Sequence, residues 1–282
     1  MDLAARLETL RKRFIAWVNR VLKLHQRLTI DGLTISFSHL RYRCGRRPGY
    51  LDKWIYYAMD KEVKTLELNF ARYFGGHTYY DFPNIDMLSS HSRDSNKFGF
   101  GSLKSLRLTG VDIRDEVVQY FLASCPYLEQ LCIRGSESTE KVRVVDPLPN
   151  LKVLEISNCI NIASLEMSVV NLVSCTYQGN KITLPFKEIP NLSELTLGEN
   201  FAKSFIYEPN KHSSYSAQIV KLTLNIEFYG LRNPSALPLL TKLEHLELNV
   251  ESPVGKSLHF FTSLIKASPL LNEFKIKVRN LY

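Results

Sequence analysis

The chain has 282 residues, 45% hydrophobic and 23% charged, a balance that excludes wholesale disorder and supplies enough apolar surface for a sizeable core. Net charge is +8, yet residues 1–50 carry 11 Lys+Arg against 3 Asp+Glu while the other 232 residues carry 25 of each. The charge therefore raises nucleic-acid association for the N-terminal sixth alone. Five cysteines, at 44, 125, 132, 159 and 175, form no Cys-x-x-Cys pair, which speaks against a disulfide framework or zinc site and for a reducing compartment. No run of 18 apolar residues predicts a membrane span, and the start lacks a secretory apolar region. The sequon at Asn191 is then incidental, and a cytoplasmic or nuclear location is expected.

From the N-terminus, Leu3, Leu7, Leu10, Phe14, Trp17, Val18, Val21, Leu24 and Leu28 follow helical spacing and predict an amphipathic helix. A strand is expected over 33–37, then a basic loop, RYRCGRRPGY, over 41–50, then a short helix over 52–59. Residues 1–60 thus form a helical cap on the open end of a repeat domain over 61–282.

That domain is organised by a six-residue phrase, apolar-x-x-apolar-x-apolar. It reads VKTLEL (63–68), LKSLRL (103–108), LEQLCI (128–133), LKVLEI (151–156), LVSCTY (172–177), LSELTL (192–197), IVKLTL (219–224), LEHLEL (243–248) and LNEFKI (271–276). Starts lie 40, 25, 23, 21, 20, 27, 24 and 28 residues apart, which after the first gap is leucine-rich-repeat spacing; residues 70–101 read as an insertion. The fourth and sixth positions share one strand face, and each such leucine contributes roughly 1.5–3 kcal/mol on burial. No repeat hides its apolar face alone, so neighbours must stack. The expected fold class is α/β: a leucine-rich-repeat solenoid, or horseshoe, with a parallel concave sheet and a mixed helical and extended outer face. Outer helices are expected over 115–123 and 258–266, and an extended outer segment over 163–167.

Eight residues after the first apolar position stand Cys159, Asn180 and Asn200, read as a structural ladder whose side chains satisfy backbone groups where the chain turns. Val111, Glu227 and Glu251 occupy that offset elsewhere, so those repeats should be less regular.

The stretches FIAWVNRVLKLHQ (14–26), LDKWIYYAMDKEVKTLEL (51–68), SCPYLEQLCI (124–133), NLKVLEISNCINIASLEM (150–167) and LPFKEIPNLSELTLG (184–198) resemble plant F-box/leucine-rich-repeat proteins. The resemblance covers nearly the whole chain from about residue 13. It implies repeats that hold a protein for ubiquitination, joined in relatives to an F-box that docks on the adaptor of a Skp–cullin–F-box ligase. Only about a dozen residues precede the WVNRVL helix, so the F-box is expected to be absent, as is the C-terminal domain of many relatives. Direct adaptor binding is then not expected.

Leucine-rich repeats bind on the concave face, where the third and fifth phrase positions project. The candidate partner-binding residues are Ser105, Arg107, Gln130, Cys132, Val153, Glu155, Ser174, Thr176, Glu194, Thr196, Lys221, Thr223, His245 and Glu247. Cys132 reads as a plain surface thiol. His245 stands near Glu244 and Glu247, but strand alternation sends Glu244 to the opposite face. KFGFGS (97–102) lacks the rest of a phosphate loop. No catalytic, metal or cofactor site is expected. The expected role is a non-catalytic, monomeric protein-interaction module without membrane contact. The alternatives are nucleic-acid association through the basic first 50 residues, or a truncated product without independent function.

Overall fold

The computed structural model describes residues 3–25, 29–37, 49–70, 80–91, 99–145, 147–180, 182, 189–227, 237–253 and 261–281. Cys44, most of the basic loop, the middle of the 70–101 insertion and the start of the expected 258–266 helix lie outside them. The chain forms two compact units, Met1–Thr139 and Glu140–Tyr282.

The first unit opens with α1 (Leu3–Leu24), β1 (Gly32–Ser36) and α2 (Tyr50–Asp60). Next come β2 (Thr65–Asn69), β3 (Tyr80–Asp81), α3 (Ile85–His91), β4 (Ser105–Thr109), β5 (Val111–Asp112), α4 (Asp115–Ser124) and β6 (Gln130–Arg134). Strands β1, β2, β4 and β6 are parallel neighbours in that order. Their register aligns fourth position with fourth: Leu33, Leu66, Leu106 and Leu131 form one row. β1 is thus a repeat strand ahead of the nine phrases, and Ile30-x-x-Leu33-x-Ile35 is its phrase. The insertion supplies β3 and α3, and β3 pairs with β5 beyond it; Phe82 and Phe121 meet there edge to face at 5.8 Å.

The second unit comprises β7 (Lys141–Val145), β8 (Val153–Ser157), β9 (Ser164–Ser168), β10 (Ser174–Gln178) and β11 (Glu194–Gly198). It continues with α5 (Glu199–Tyr207), α6 (Pro209–Ser216), β12 (Lys221–Glu227), β13 (His245–Pro253), α7 (Thr262–Lys266) and β14 (Glu273–Leu281). Its main sheet runs β8-β10-β11-β12-β13-β14, all parallel. The expected extended outer segment is β9, and it pairs with β7. Both units are the expected α/β leucine-rich-repeat fold.

Two backbone devices recur from repeat to repeat. Before β4, β6, β8 and β10–β14 a turn closes, the N–H of the first phrase position donating to the carbonyl three residues back, as in Leu128 to Cys125 (3.1 Å) and Leu271 to Ser268 (3.2 Å). Pro126, Pro149, Pro190 and Pro269 take the second place of such turns, where a fixed φ suits the geometry. That carbonyl residue is buried each time, so Phe100, Cys125, Leu148, Val169 and Ile189 line the core. In addition, the carbonyl of the second phrase position accepts two N–H groups from the next repeat. Lys152 receives Val173 and Ser174, both at 2.9 Å, and Val220 receives Glu244 at 2.9 Å and His245 at 3.0 Å.

Candidate functional site

Alternation along the strands before β14 buries phrase positions four and six and turns three, five and seven to the other face. Leu195, Leu197, Leu222, Leu224, Leu246 and Leu248 are buried, while Thr196, Thr223 and Glu247 between them stay partly exposed. In the second unit the third position forms the row Val153, Ser174, Glu194, Lys221, His245, Glu273. The fifth forms Glu155, Thr176, Thr196, Thr223, Glu247, Lys275. Three threonines side by side make a small uncharged stripe in the fifth-position row, between Glu155 of β8 and Glu247 of β13.

On β13 and β14 the outward residues form ion pairs, two across the strands and one within β14. His245 Nδ1 lies 3.1 Å from Glu273 Oε2, Lys275 Nζ 2.8 Å from Glu273 Oε1, and Lys277 Nζ 2.7 Å from Glu247 Oε1. Hydrogen bonding from Lys277 holds the Glu247 carboxyl below its ordinary range; Lys275 and then His245 do the same to Glu273. His245 is therefore partnered by Glu273, and Glu247 is engaged elsewhere.

In the first unit Arg107 Nη2 donates to Gln130 Oε1 at 2.9 Å, and Ser105 Oγ lies 3.2 Å from the same oxygen. Cys132 is buried at 3% exposure, not a surface thiol, with Arg107 as its register neighbour on β4. Burial pushes the Cys125 and Cys175 thiols up to about 12, so neither is a reactive thiolate at neutral pH.

The seventh position extends the outward face beyond the residues singled out from sequence. There Gln178, Gly198, Asn225, Asn249 and Lys277 gather, with Glu227, Glu251 and Arg279 two residues further on. Together with Asn158 they line a groove of about 550 Å³. Asn249 Nδ2 donates to Asn225 Oδ1 at 2.8 Å, which fixes both amides. Gly198 keeps the groove open beside β10, because a Cβ there would come within 2.8 Å of Gln178 Cγ. The signal for this row was the period of two itself, carried one step past the phrase.

The expected Cys159, Asn180 and Asn200 ladder separates into three environments. Cys159 is fully buried, its Sγ 3.6 Å from the Ser157 carbonyl. Asn180 is exposed yet bridges repeats, donating Nδ2 to the Ile160 carbonyl at 2.8 Å. Asn200 lies in α5, because the chain enters a helix directly after Gly198 instead of turning. Further rungs come from Asn171 to the Pro149 carbonyl (2.8 Å) and Asn191 to the Val170 carbonyl (2.9 Å).

One buried cluster resembles a nucleophile and its base. Ser204 Oγ is 3.2 Å from His212 Nε2, and Tyr215 Oη bonds His212 Nδ1. The carboxylate, however, sits on the serine: Ser204 donates its proton to Glu208 Oε2 at 2.5 Å. The serine hydroxyl is thus directed at a carboxylate and not at the imidazole, unlike the serine of a Ser–His pair. The group, packed against Phe201 and Phe205, ties α5 to α6. Among the described residues no group of three or more His, Cys, Asp or Glu could hold a metal ion, and no helix is long and apolar enough to cross a membrane.

Compared with known proteins, residues 21–281 match the family described as the At1g61320/AtMIF1 LRR domain. The curated F-box/LRR-repeat protein At3g03360 of Arabidopsis thaliana is 24% identical over 244 residues, covering 66% of this chain and 49% of that protein. The chain thus spans about half the length of this relative.

Proposed function

Because the chain belongs to the plant leucine-rich-repeat family of the At1g61320/AtMIF1 LRR domain, a family of protein-interaction repeats, we propose that it holds a target protein for an F-box type ubiquitin ligase. The observation that carries this reading is the outward face of the second unit, where the threonine stripe leads into the amide-walled groove. A flat polar strand face offers little purchase. A groove with four amides, two carboxylates and two cations can pair both the backbone and the side chains of a bound segment. Binding by complementarity needs no cofactor and no reacting group, and leucine-rich-repeat domains are in general non-catalytic.

The test starts from a target identified by proximity labelling in plant cells and then purified. Thr196→Arg with Thr223→Arg, and separately Asn225→Ala with Asn249→Ala, are expected to weaken its affinity at least tenfold while leaving the melting temperature within a few degrees. The target's half-life should lengthen in cells carrying either pair. Unchanged affinity in folded variants would remove the face from the function, and unchanged turnover would remove the ligase assignment.

A further inference from the structure

Helix α1 carries more apolar surface than the fold uses. Val18 is buried at 5% exposure, Trp54 of α2 donates its indole N–H to Asn19 at 2.8 Å, and Phe14 stacks on Phe37 with ring centroids 4.4 Å apart. These contacts hold one side of the helix. Beside them runs a second stripe, Leu7, Leu10, Phe14, Trp17, Val21 and Leu24, whose alternating three- and four-residue steps are those of a coiled-coil seam. Along it Leu10 is 53% exposed, Trp17 62%, Val21 44% and Leu24 67%.

The seam is hollowed on both sides of the Phe14–Trp17 ridge. One hollow of about 390 Å³ lies between Leu7, Leu10, Trp17 and Phe37, and another of about 310 Å³ lies between Val18, Val21, Leu33 and Ile35. Such hollows are the shape that receives the knobs of a facing helix. The charge beside the seam then selects the partner. Arg6, Arg13 and Arg20 recur every seven residues along one flank, all exposed and without a carboxylate partner among the described residues. Arg11 lies on the other flank, held by Glu8 at 2.5 Å. A second copy of α1 laid along this seam would set these arginines against Arg11 or against one another, which disfavours self-pairing.

We propose that the seam of α1 docks an acidic amphipathic helix of a partner protein, with leucine-type residues in the hollows and Glu or Asp opposite Arg6, Arg13 and Arg20. This surface is separate from the strand-face groove and does not depend on the ligase reading.

The probe is a synthetic three-heptad peptide with Leu at its core positions and Glu at the flanking ones, titrated against the full chain by fluorescence anisotropy. Saturable binding is expected, at least tenfold tighter than for the same peptide with Lys at the flanks. Arg6→Glu, Arg13→Glu and Arg20→Glu together should reverse that preference. Leu10→Glu with Val21→Glu should abolish binding of both peptides; these residues are exposed, so an unchanged circular dichroism spectrum is expected. Three results would overturn the proposal: no saturable binding of the acidic peptide, dimerisation of the chain that the Leu10/Val21 pair removes, or stronger binding to vesicles of one part phosphatidylserine to three parts phosphatidylcholine than to the peptide.

Discussion

Asp112 shows how much one side chain can organise in a thin fold. Its carboxylate accepts from the Glu137 N–H (2.9 Å), the Ser138 N–H (2.6 Å) and the Ser138 hydroxyl (2.6 Å), holding the turn after β6 against β5. Thr139 Oγ1 adds a bond to the Ile113 carbonyl at 2.7 Å. Asp112→Ala would strand these part-buried donors, at a cost of about 1–3 kcal/mol for a donor left unsatisfied. The melting temperature should therefore fall by several degrees, whereas Glu116→Ala, exposed in the first turn of α4, should change it little. Equal melting points for the two variants would deny Asp112 this role. Single residues also decide where strands stop. At the eighth phrase position Gly110, Gly135 and Asn158 adopt φ of 63°, 70° and 55°, the left-handed turn that Gly and Asn tolerate. At the same position β12, β13 and β14 carry Ile226, Val250 and Val278, β-branched residues for which that conformation is strained. These strands run on for seven, nine and nine residues instead of five, and the groove is built on their extra length.

At the scale of elements, most of the repeat architecture was legible, because burial alternation along a strand is a local property of sequence. All nine phrases became parallel strands, and the outer helix expected over 115–123 is α4. The strand expected over 33–37 proved to be a further rung: Ile30, Leu33 and Ile35 complete the phrase, but it starts 33 residues ahead of Val63, outside the usual repeat spacing. Helices α5 and α6 were not legible: their register depends on the buried Ser204–His212–Tyr215 contact, which joins residues eight and three apart without an apolar period. Nor was the groove, because the apolar phrase ends at the sixth position while the groove walls come from the polar seventh and ninth. A prediction belongs to the longest strand pair. Glu247 and Glu273 both have folded-state carboxyl pKa values below the ordinary 4.5. A depressed carboxyl adds stability above its unfolded value and loses it as pH falls through the lower folded one. Hydrogen exchange of the β13–β14 amides should thus be insensitive to these groups from pH 7 to about 5. Below 4.5 their protection should fall, once corrected for intrinsic exchange, and more steeply than in Glu247→Gln. Identical profiles for the two proteins would show the Lys277 pair to be inert, a real prospect for an exposed bridge.

At the scale of the whole molecule, stacking sets how stability is shared. Within each unit every repeat touches its neighbours, through rows such as Leu195–Leu222–Leu246 and through the shared second-position carbonyls. A linear array of this kind is stabilised by the sum of its nearest-neighbour interfaces. In β14, Phe274, Ile276 and Val278, at positions that face the core elsewhere, are 39%, 40% and 46% exposed. Leu222→Ala offers the sharpest test of the idea. Leu222 is fully buried in β12, and the truncation should cost about 2–5 kcal/mol through lost burial and a residual cavity. If the array is linear, exchange should rise most in β11, β12 and β13 and decline toward β8, with β14 opening further because it loses a stable neighbour. A uniform rise from β8 to β14 would show instead that the second unit opens as one cooperative block. The groove would then be only as stable as its weakest repeat, and a bound target segment would protect β8 as strongly as it protects β13.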